Sequence, residues 1–286
     1  MGVAMTFWGG NWACAKMLEP LMGTSSLVFY RFFFAALGFL PLILYKKISF
    51  RLTKKEMGIM ALCSVLMGIY QVIFFIGLHE GLPGAGGVLV TTMSPLITFA
   101  LMAIIKRKGL EKKEWMGIGL GGLSAVFFLK LWTLNTQTLF DAGNSYFLIA
   151  ALTWSVLTIV SQRLKISSLL YNFYAFGLVT PFLVIGTPIH ELLSVCHQGL
   201  NFWIPMGFIV ICGTVFSTTL YFFVTKTSGA KVAASYIFLV PTSAMIFAVL
   251  LLHEKPTWQT IVGGLLALAG VYILNSSSIK PEKETI

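Results

Sequence analysis

Long apolar runs separated by short polar loops occupy the chain from end to end. Most runs approach the ~20 residues that an α-helix needs to cross about 30 Å of hydrocarbon. They are continuous and lack the alternation of a membrane β-strand, so the backbone polar groups must be satisfied within helices. The pattern predicts an all-α integral membrane protein with ten transmembrane helices, at about residues 2–18, 25–45, 57–78, 84–105, 116–131, 144–162, 169–189, 202–225, 232–252 and 258–275.

The composition agrees with a membrane protein rather than a soluble one. Of the 286 residues, 57% are hydrophobic and 10% are charged, whereas soluble domains are roughly half apolar and about a quarter charged. The formal charge of +10 would favour nucleic-acid binding in a soluble protein, but here the basic residues lie in short loops. We expect the lipid bilayer and a small-molecule substrate as partners, no nucleic acid, and a monomer as a sufficient unit.

The distribution of basic residues predicts the orientation. Loops 46–56 and 106–115 each carry five Lys or Arg residues. Because basic loops stay on the cytoplasmic side, we expect a multi-pass protein of the cell inner membrane with both termini in the cytoplasm. Residues 277–286 would form a cytoplasmic tail.

An internal repeat divides the predicted helices into two groups of five. A shift of 146 residues aligns identical residues: Trp8 with Trp154, Pro95 with Pro241, Gly117 with Gly263, and Leu120 with Leu266. Because five is odd, the halves must be inverted in the membrane, and loops 190–201 and 253–257 carry far fewer basic residues than their first-half equivalents. We therefore predict two inverted five-helix repeats, 1–132 and 143–276, an arrangement typical of secondary transporters.

Three segments resemble a known family. They are "FWGGNWACAK", "FYRFFFAALGFLPL" and "AASYIFLVPTSAMIFAVLLLHEKPTWQTIVGGLLALAGVYIL", and they are similar to the EamA-type, ten-helix branch of the drug/metabolite transporter superfamily. The resemblance implies a central cavity lined by the first, third, fourth, sixth, eighth and ninth helices, and commonly export of amino acids or other metabolites. The loop Glu of the family corresponds to Glu254, whereas the first-half equivalent is Lys108.

Arg31 is the charged candidate within a predicted span. A charge in hydrocarbon costs about 3 kcal/mol or more, so Arg31 is either an anchor for an anionic group or a residue that snorkels to the outer interface. Trp8 and Trp12 share one helix face with Asn11 nearby. They suit an apolar or aromatic ligand, or alternatively an interfacial aromatic belt.

Other polar and aromatic residues complete the candidate set. Gln71 needs a partner inside a span, which an interhelical hydrogen bond could equally supply. Hydroxyls in the fourth and eighth spans can bind solute or their own backbone. The predicted substrate-binding residues are Trp8, Asn11, Arg31, Tyr70, Gln71, Phe74, Thr91, Ser94, Trp154, Thr218, Tyr221 and Tyr236.

Prolines and small residues have structural interpretations. Pro95 and Pro241 each free the carbonyl four residues earlier, and we predict that both act as hinges. Small residues spaced four apart favour close helix approach. We assign to packing seams, not to transport, Gly117, Gly121, Gly122, Gly263, Gly264 and Ala267.

Acidic residues are absent from the predicted spans. Every Asp and Glu lies in a loop, at a span end or in the tail, and the four His residues lie outside the span cores. A buried proton relay is therefore missing, so transport is facilitated or is coupled through backbone or loop groups. The four Cys residues show no metal or disulfide spacing. We predict no metal, no cofactor and no catalytic residues.

These observations favour a secondary transporter, not an enzyme. The expected function is export of a small neutral or zwitterionic metabolite, such as an amino acid, by alternating access. The alternatives are an intramembrane enzyme, which would need a nucleophile, base or metal cluster, and a non-transporting membrane scaffold.

Overall fold

The computed structural model describes residues 1–80, 83–133, 142–185, 187, 189–253 and 255–276, and this part of the chain is helical without β-strands. The predicted tail and Glu254 lie outside the described residues. Ten long helical segments follow the predicted runs: α1 (Gly2–Leu18), α2 (Thr24–Tyr45), α3 (Lys54–Glu80), α4 (Pro83–Lys106), α5 (Lys112–Leu129), α6 (Ala142–Ser161), α7 (Ser168–Ile185), α8 (Leu200–Thr227), α9 (Ala230–Leu252) and α10 (Trp258–Asn275).

Seven of these helices within the described residues are long and apolar enough to cross a membrane, namely α2, α3, α4, α7, α8, α9 and α10. The other three fall just short. The first, α1, has 17 residues, and α5 begins with the charged residues Lys112, Lys113 and Glu114. The apolar part of α6 is the short helix Ser145–Ser161. The chain is therefore a multi-pass, all-α membrane protein, while the count of ten crossings stays a prediction.

One predicted boundary is wrong. The seventh run was expected to extend to residue 189, but α7 ends at Ile185, and a separate short helix, Ile189–Ser194, follows. The intervening sequence contains Gly186 and Pro188, and both residue types disfavour continuation of a helix. The prediction followed the apolar residues on both sides of this region, so it placed the end of the helix too late.

Two helices change their winding along their length. In α8, Phe208–Phe216 forms a π-helix between two α-helical parts. The hydroxyls of Thr214 and Ser217 each donate to a carbonyl five residues earlier, over 2.9 Å and 2.6 Å. In α9, the 3₁₀ turn Tyr236–Phe238 precedes the part that contains Pro241. By contrast, α4 remains α-helical through Pro95.

The main helix contacts pair the two halves of the chain. Helix α1 packs against α8 and α9, α6 packs against α3 and α4, α2 packs against α7, and α5 packs against α10. Replacing each helix by the one five places away returns the same set of pairs. Helices α5 and α10 form a separate peripheral pair, so the remaining eight helices surround the centre.

Small residues of α5 and α10 form packing seams, as predicted, with one exception. A Cβ on Gly117 would lie 2.7 Å from Cδ2 of Leu274, and Ser124 donates to the carbonyl of Gly263 over 2.8 Å. The prediction for Gly122 was wrong, because a Cβ there would have no neighbour within 4 Å. Its neighbour Gly121 instead faces the ring of Phe238.

Candidate functional site

A cavity of about 220 Å³ lies among the eight central helices. It is smaller than the roughly 300–1,000 Å³ of pockets for drug-sized ligands. Helices α5 and α10 contribute no lining residue, as the family resemblance implied, whereas α2 and α7 contribute residues that it did not imply. The lining residues are Trp8, Asn11, Trp12, Ala15, Arg31, Phe32, Met67, Tyr70, Gln71, Phe74, Val90, Thr91, Ser94, Trp154, Phe176, Thr218, Ile237 and Val240.

Ten of the twelve predicted substrate-binding residues are brought together at this cavity. They are Trp8, Asn11, Arg31, Tyr70, Gln71, Phe74, Thr91, Ser94, Trp154 and Thr218. The other two lie outside the lining. Tyr221 is completely buried beneath Trp8 and Trp154, and Tyr236 lies in the 3₁₀ turn of α9, packed against buried apolar residues.

Aromatic rings from both halves form one wall. The ring centroids of Tyr70 and Trp154 are 5.0 Å apart, and those of Tyr70 and Phe74 are 5.8 Å apart. Trp12 lies edge-on to Phe74, with centroids separated by 5.8 Å. Such rings offer flat apolar surfaces and electron-rich faces that attract cations.

An aromatic floor, formed by the packed rings of Trp8, Trp154, Tyr221 and Phe222, borders the cavity through Trp8 and Trp154. Tyr221 has its ring centroid 5.2 Å from that of Trp8 and 5.2 Å from that of Phe222. Its hydroxyl lies 2.9 Å from that of Thr158, and both groups are buried. The floor therefore combines tight ring packing with a satisfied polar pair.

The π-helical part of α8 positions two cavity residues. The indole nitrogen of Trp8 donates to the carbonyl of Gly213 over 2.8 Å, and Nε of Arg31 donates to the hydroxyl of Thr214 over 3.3 Å. Asn11 packs directly on Gly213, where a Cβ would overlap the terminal atoms of its amide. Sequence reasoning missed Gly213 and Thr214. The available signal was a glycine and a hydroxyl inside the otherwise apolar run 208–216.

Arg31 faces the protein interior. Its side chain lines the cavity and reaches α8, so it does not take the position of a snorkelling residue. Among the described residues, no carboxylate pairs with it. The Tyr70 phenol is close enough to interact with the guanidinium electrostatically. A cavity whose other lining side chains are uncharged thus contains one positive charge.

The hydroxyls of the lining donate to their own helices. Thr91 donates to the carbonyl of Gly87 over 2.7 Å, Ser94 donates to Val90 over 2.6 Å, and Thr218 donates to Thr214. Their hydrogens are used, but each oxygen still has lone pairs that accept hydrogen bonds. Across the described residues, no group of three His, Cys, Asp or Glu side chains could hold a metal ion. The chemistry of this cavity is therefore binding by aromatic faces, neutral acceptors and one guanidinium.

Relatives of similar length are named as transporters. An uncharacterised transporter of Archaeoglobus fulgidus is 24% identical over 282 residues, which covers 96% of this chain and 95% of the relative. A protein of Rickettsia prowazekii named as an S-adenosylmethionine uptake transporter is also 24% identical, over a match that covers 93% of this chain and 88% of that protein.

A solved crystal structure has the same fold. It superposes with a TM-score of 0.75 at 14% sequence identity, covering 95% of this chain and 93% of the other. The sequence profile of the EamA-like transporter family matches residues 1–130 and 141–276. The profile thus matches nearly the whole chain, in two segments that are separated by residues 131–140. This protein accordingly belongs to the EamA-like transporter family.

Proposed function

We propose that this transporter moves a small zwitterionic or neutral metabolite, with amino acids as the first candidates, by alternating access through the central cavity. The observation that carries the proposal is the cavity itself. Its lining comes from four helices of each half, and the aromatic floor borders it at Trp8 and Trp154. A site between two halves is where secondary transporters bind their solutes.

Two inverted repeats would give the two halves equivalent motions. The pairing of helices supports this part of the proposal, because exchanging the halves leaves the set of main contacts unchanged. The proposed repeats are 1–132 and 143–276. In this scheme, Trp8 and Trp154 are equivalent residues that meet near the centre of the molecule, with ring centroids 5.7 Å apart.

The cavity lining suggests which side is accessible. Along α1 the lining extends from Trp8 to the exposed Ala15, and along α3 it extends from Met67 to Phe74. Both helices would end at the outer face if the N-terminus is cytoplasmic, as the basic loops predict. The proposed state is therefore accessible from outside, with the aromatic floor closing the cytoplasmic side.

Opening toward the cytoplasm would require the floor to part. Near the cytoplasmic end of α8, the Lys226 ammonium donates to the carbonyl of Ile166 in the connection between α6 and α7. This contact must break if α8 moves away from α7. We propose Pro241 as a hinge for the movement because the winding of α9 changes beside it. For Pro95 the support is only its alignment with Pro241 in the internal repeat, because α4 stays α-helical through it.

The solute is proposed to be the size of an amino acid. S-adenosylmethionine, which the Rickettsia prowazekii relative is named for taking up, is the second candidate because it is zwitterionic and carries a cationic sulfonium. Its attached nucleoside makes it a poor match for about 220 Å³. Export, which the family resemblance implies, is the proposed direction, and that relative's name supplies the opposite direction for comparison.

Counterflow in proteoliposomes tests the proposal. Amino acids, amines, nucleosides and S-adenosylmethionine would be offered with and without a pH gradient. We expect saturable exchange of amino acids, weakened by Gln71→Ala, whose side chain lines the cavity and is 5% exposed. The matched control is Val72→Ala, the next residue on α3, which is 52% exposed. Folded wild-type protein that exchanges none of these solutes would contradict the proposal.

Direction needs a sidedness measurement. Everted and right-side-out vesicles loaded with the accepted solute would be compared. Faster uptake into everted vesicles supports export, whereas faster uptake into right-side-out vesicles supports import and removes this part of the proposal.

A further inference from the structure

We infer that Asn11 and Arg31 form a head-group site for an α-amino acid, in which Arg31 binds the carboxylate and Asn11 accepts the ammonium. The inference rests on the proposed function and makes it more specific. It adds a requirement that both charged groups of the solute be attached to the same carbon atom. Amines, carboxylic acids and nucleosides that lack either group should then be rejected.

Arg31 is already oriented for a carboxylate. A guanidinium has five N–H donors in a planar fork, and the Nε donor is engaged by Thr214 over 3.3 Å. The two terminal nitrogens remain for the bidentate arrangement that arginine forms with a carboxylate. No carboxylate of the described residues pairs with Arg31. The carboxylate of a solute would therefore supply the negative partner that the buried guanidinium lacks.

Asn11 supplies the complementary acceptor. Its Oδ1 atom is buried and has no hydrogen-bond partner within the described part of the chain. A buried acceptor left unpaired is costly, and an ammonium with three donors would satisfy it. Asn11 lines the same cavity as Arg31, and a rotation of its amide away from Gly213 would bring Oδ1 to a solute that contacts Arg31.

Adjacent residues of α8 fix the two anchors. Asn11 packs on Gly213, and Arg31 is hydrogen-bonded to Thr214. The two anchors thus contact adjacent residues of one helix, which suits a solute whose carboxylate and ammonium share one carbon atom. No acidic side chain lines the cavity, so the ammonium is stabilised by neutral acceptors and aromatic faces. The side chain of the solute would then lie against Tyr70 and Phe74.

Ligand-dependent thermal stabilisation of the purified protein tests the site directly. The common L-amino acids are screened, and the most stabilising one is compared with its amide, which lacks the carboxylate, and its deaminated acid, which lacks the ammonium. We expect both analogues to bind the wild-type protein at least about tenfold more weakly, the loss expected when one charge-assisted pairing is removed.

Two substitutions should remove the two discriminations separately. Arg31→Gln should bring the amino acid and its amide within about threefold of each other while keeping the penalty for the deaminated acid. Asn11→Ala should bring the amino acid and its deaminated acid within about threefold of each other while keeping the penalty for the amide. Arg31→Lys serves as a second variant if Arg31→Gln does not fold, and it should bind the amino acid more weakly because the planar fork is lost. The exposed residues Arg163 and Asn201 provide matched controls, Arg163→Gln and Asn201→Ala.

Several results would overturn the inference. The first is a screen in which no amino acid stabilises the protein. The second is an amide that binds the wild-type protein as well as the parent amino acid does, and the third is a pair of substitutions that weaken binding of all three ligands equally. Counterflow separates this inference from the proposed function. Binding with the expected pattern but without exchange would reject transport of amino acids and leave the head-group site standing. Exchange only of solutes without a carboxylate would reject the head-group site and leave transport standing.

Discussion

Trp8 and Trp154, which are 146 residues apart in the chain, meet edge-to-face with their ring centroids 5.7 Å apart and their planes inclined by 74°. Each ring also contacts Tyr221, at 5.2 Å and 5.7 Å. The first helix of each half therefore delivers a tryptophan to the same layer. Aromatic pairs in this geometry contribute about 0.5–1.5 kcal/mol beyond the area that they bury, so the floor also holds the two halves together.

The hydrogen bond from Trp8 to Gly213 can be removed while an aromatic ring is retained. Trp8→Phe should lower the free energy of unfolding by about 1 kcal/mol, the usual net value of one such bond. It should also weaken solute binding because Trp8 lines the cavity. Thermal unfolding in detergent and a binding titration measure the two effects. Trp115→Phe is the matched control, since Trp115 is 63% exposed, and an equal response of both variants would contradict the assignment.

The contact between Asn11 and Gly213 leaves no space for a methyl group. Gly213→Ala should lower stability by roughly 1–3 kcal/mol, the usual cost of overpacking, and it should weaken binding because Asn11 is displaced. Adding Asn11→Ala should recover much of the stability without recovering the binding. Gly207→Ala in the same helix is the control, because a Cβ there meets nothing within 4 Å. Additive losses in the double variant would argue against direct contact.

The buried pair between Tyr221 and Thr158 separates stability from recognition. Tyr221→Phe leaves the Thr158 hydroxyl without this partner, so we expect a loss of about 1–3 kcal/mol. Thr158→Val combined with Tyr221→Phe should cost less than Tyr221→Phe alone, because no buried hydroxyl then lacks its partner. Neither change should alter which solutes bind, since neither residue lines the cavity. A change in solute preference would place Tyr221 at the binding site after all.

Two consecutive glycines of α5 test its packing against α9, which contains Phe238. A Cβ on Gly121 would lie 2.9 Å from Cδ1 of Phe238 and closer still to other ring atoms, whereas Gly122 faces open space. Gly121→Ala should lower stability by roughly 1–3 kcal/mol. Gly122→Ala should be neutral or stabilise the helix by up to about 1 kcal/mol. Because the two substitutions are chemically identical and adjacent, equal unfolding temperatures would contradict the close contact between Gly121 and Phe238.

The extent of prediction from sequence differs between the fold and the site. Long apolar runs determine helices almost unaided, so α1 and α10 begin and end where the pattern placed them. Polar and aromatic residues inside those runs were equally conspicuous, and most of them line the cavity. Apolar lining residues such as Met67 and Val90 resemble lipid-facing ones, because lipid and a protein interior are similarly apolar. The sequence therefore contains no signal that separates the two.

The winding of α8 was likewise not predictable. A π-helix and an α-helix have the same hydrogen-bonding groups, and hydrophobic periodicity is uninformative in a run that is apolar on every side. The arrangement of Gly213 and Thr214 beneath Trp8 and Arg31 depends on this winding. Only the three-dimensional structure could reveal that these two residues support the cavity.

The π-helical segment Phe208–Phe216 also changes the direction in which side chains of α8 point after the segment, relative to those before it. In an α-helix each residue turns the chain by about 100°, so one additional residue accommodated in a wider winding rotates everything beyond it relative to everything before it. Deleting a single residue from the segment would restore an ordinary helix. It would also turn Thr218 away from the cavity if the preceding part stayed in place. The segment therefore acts as a phase offset between the two α-helical parts of α8: Gly213 and Thr214 within it contact Trp8 and Arg31, and Thr218 beyond it lines the cavity.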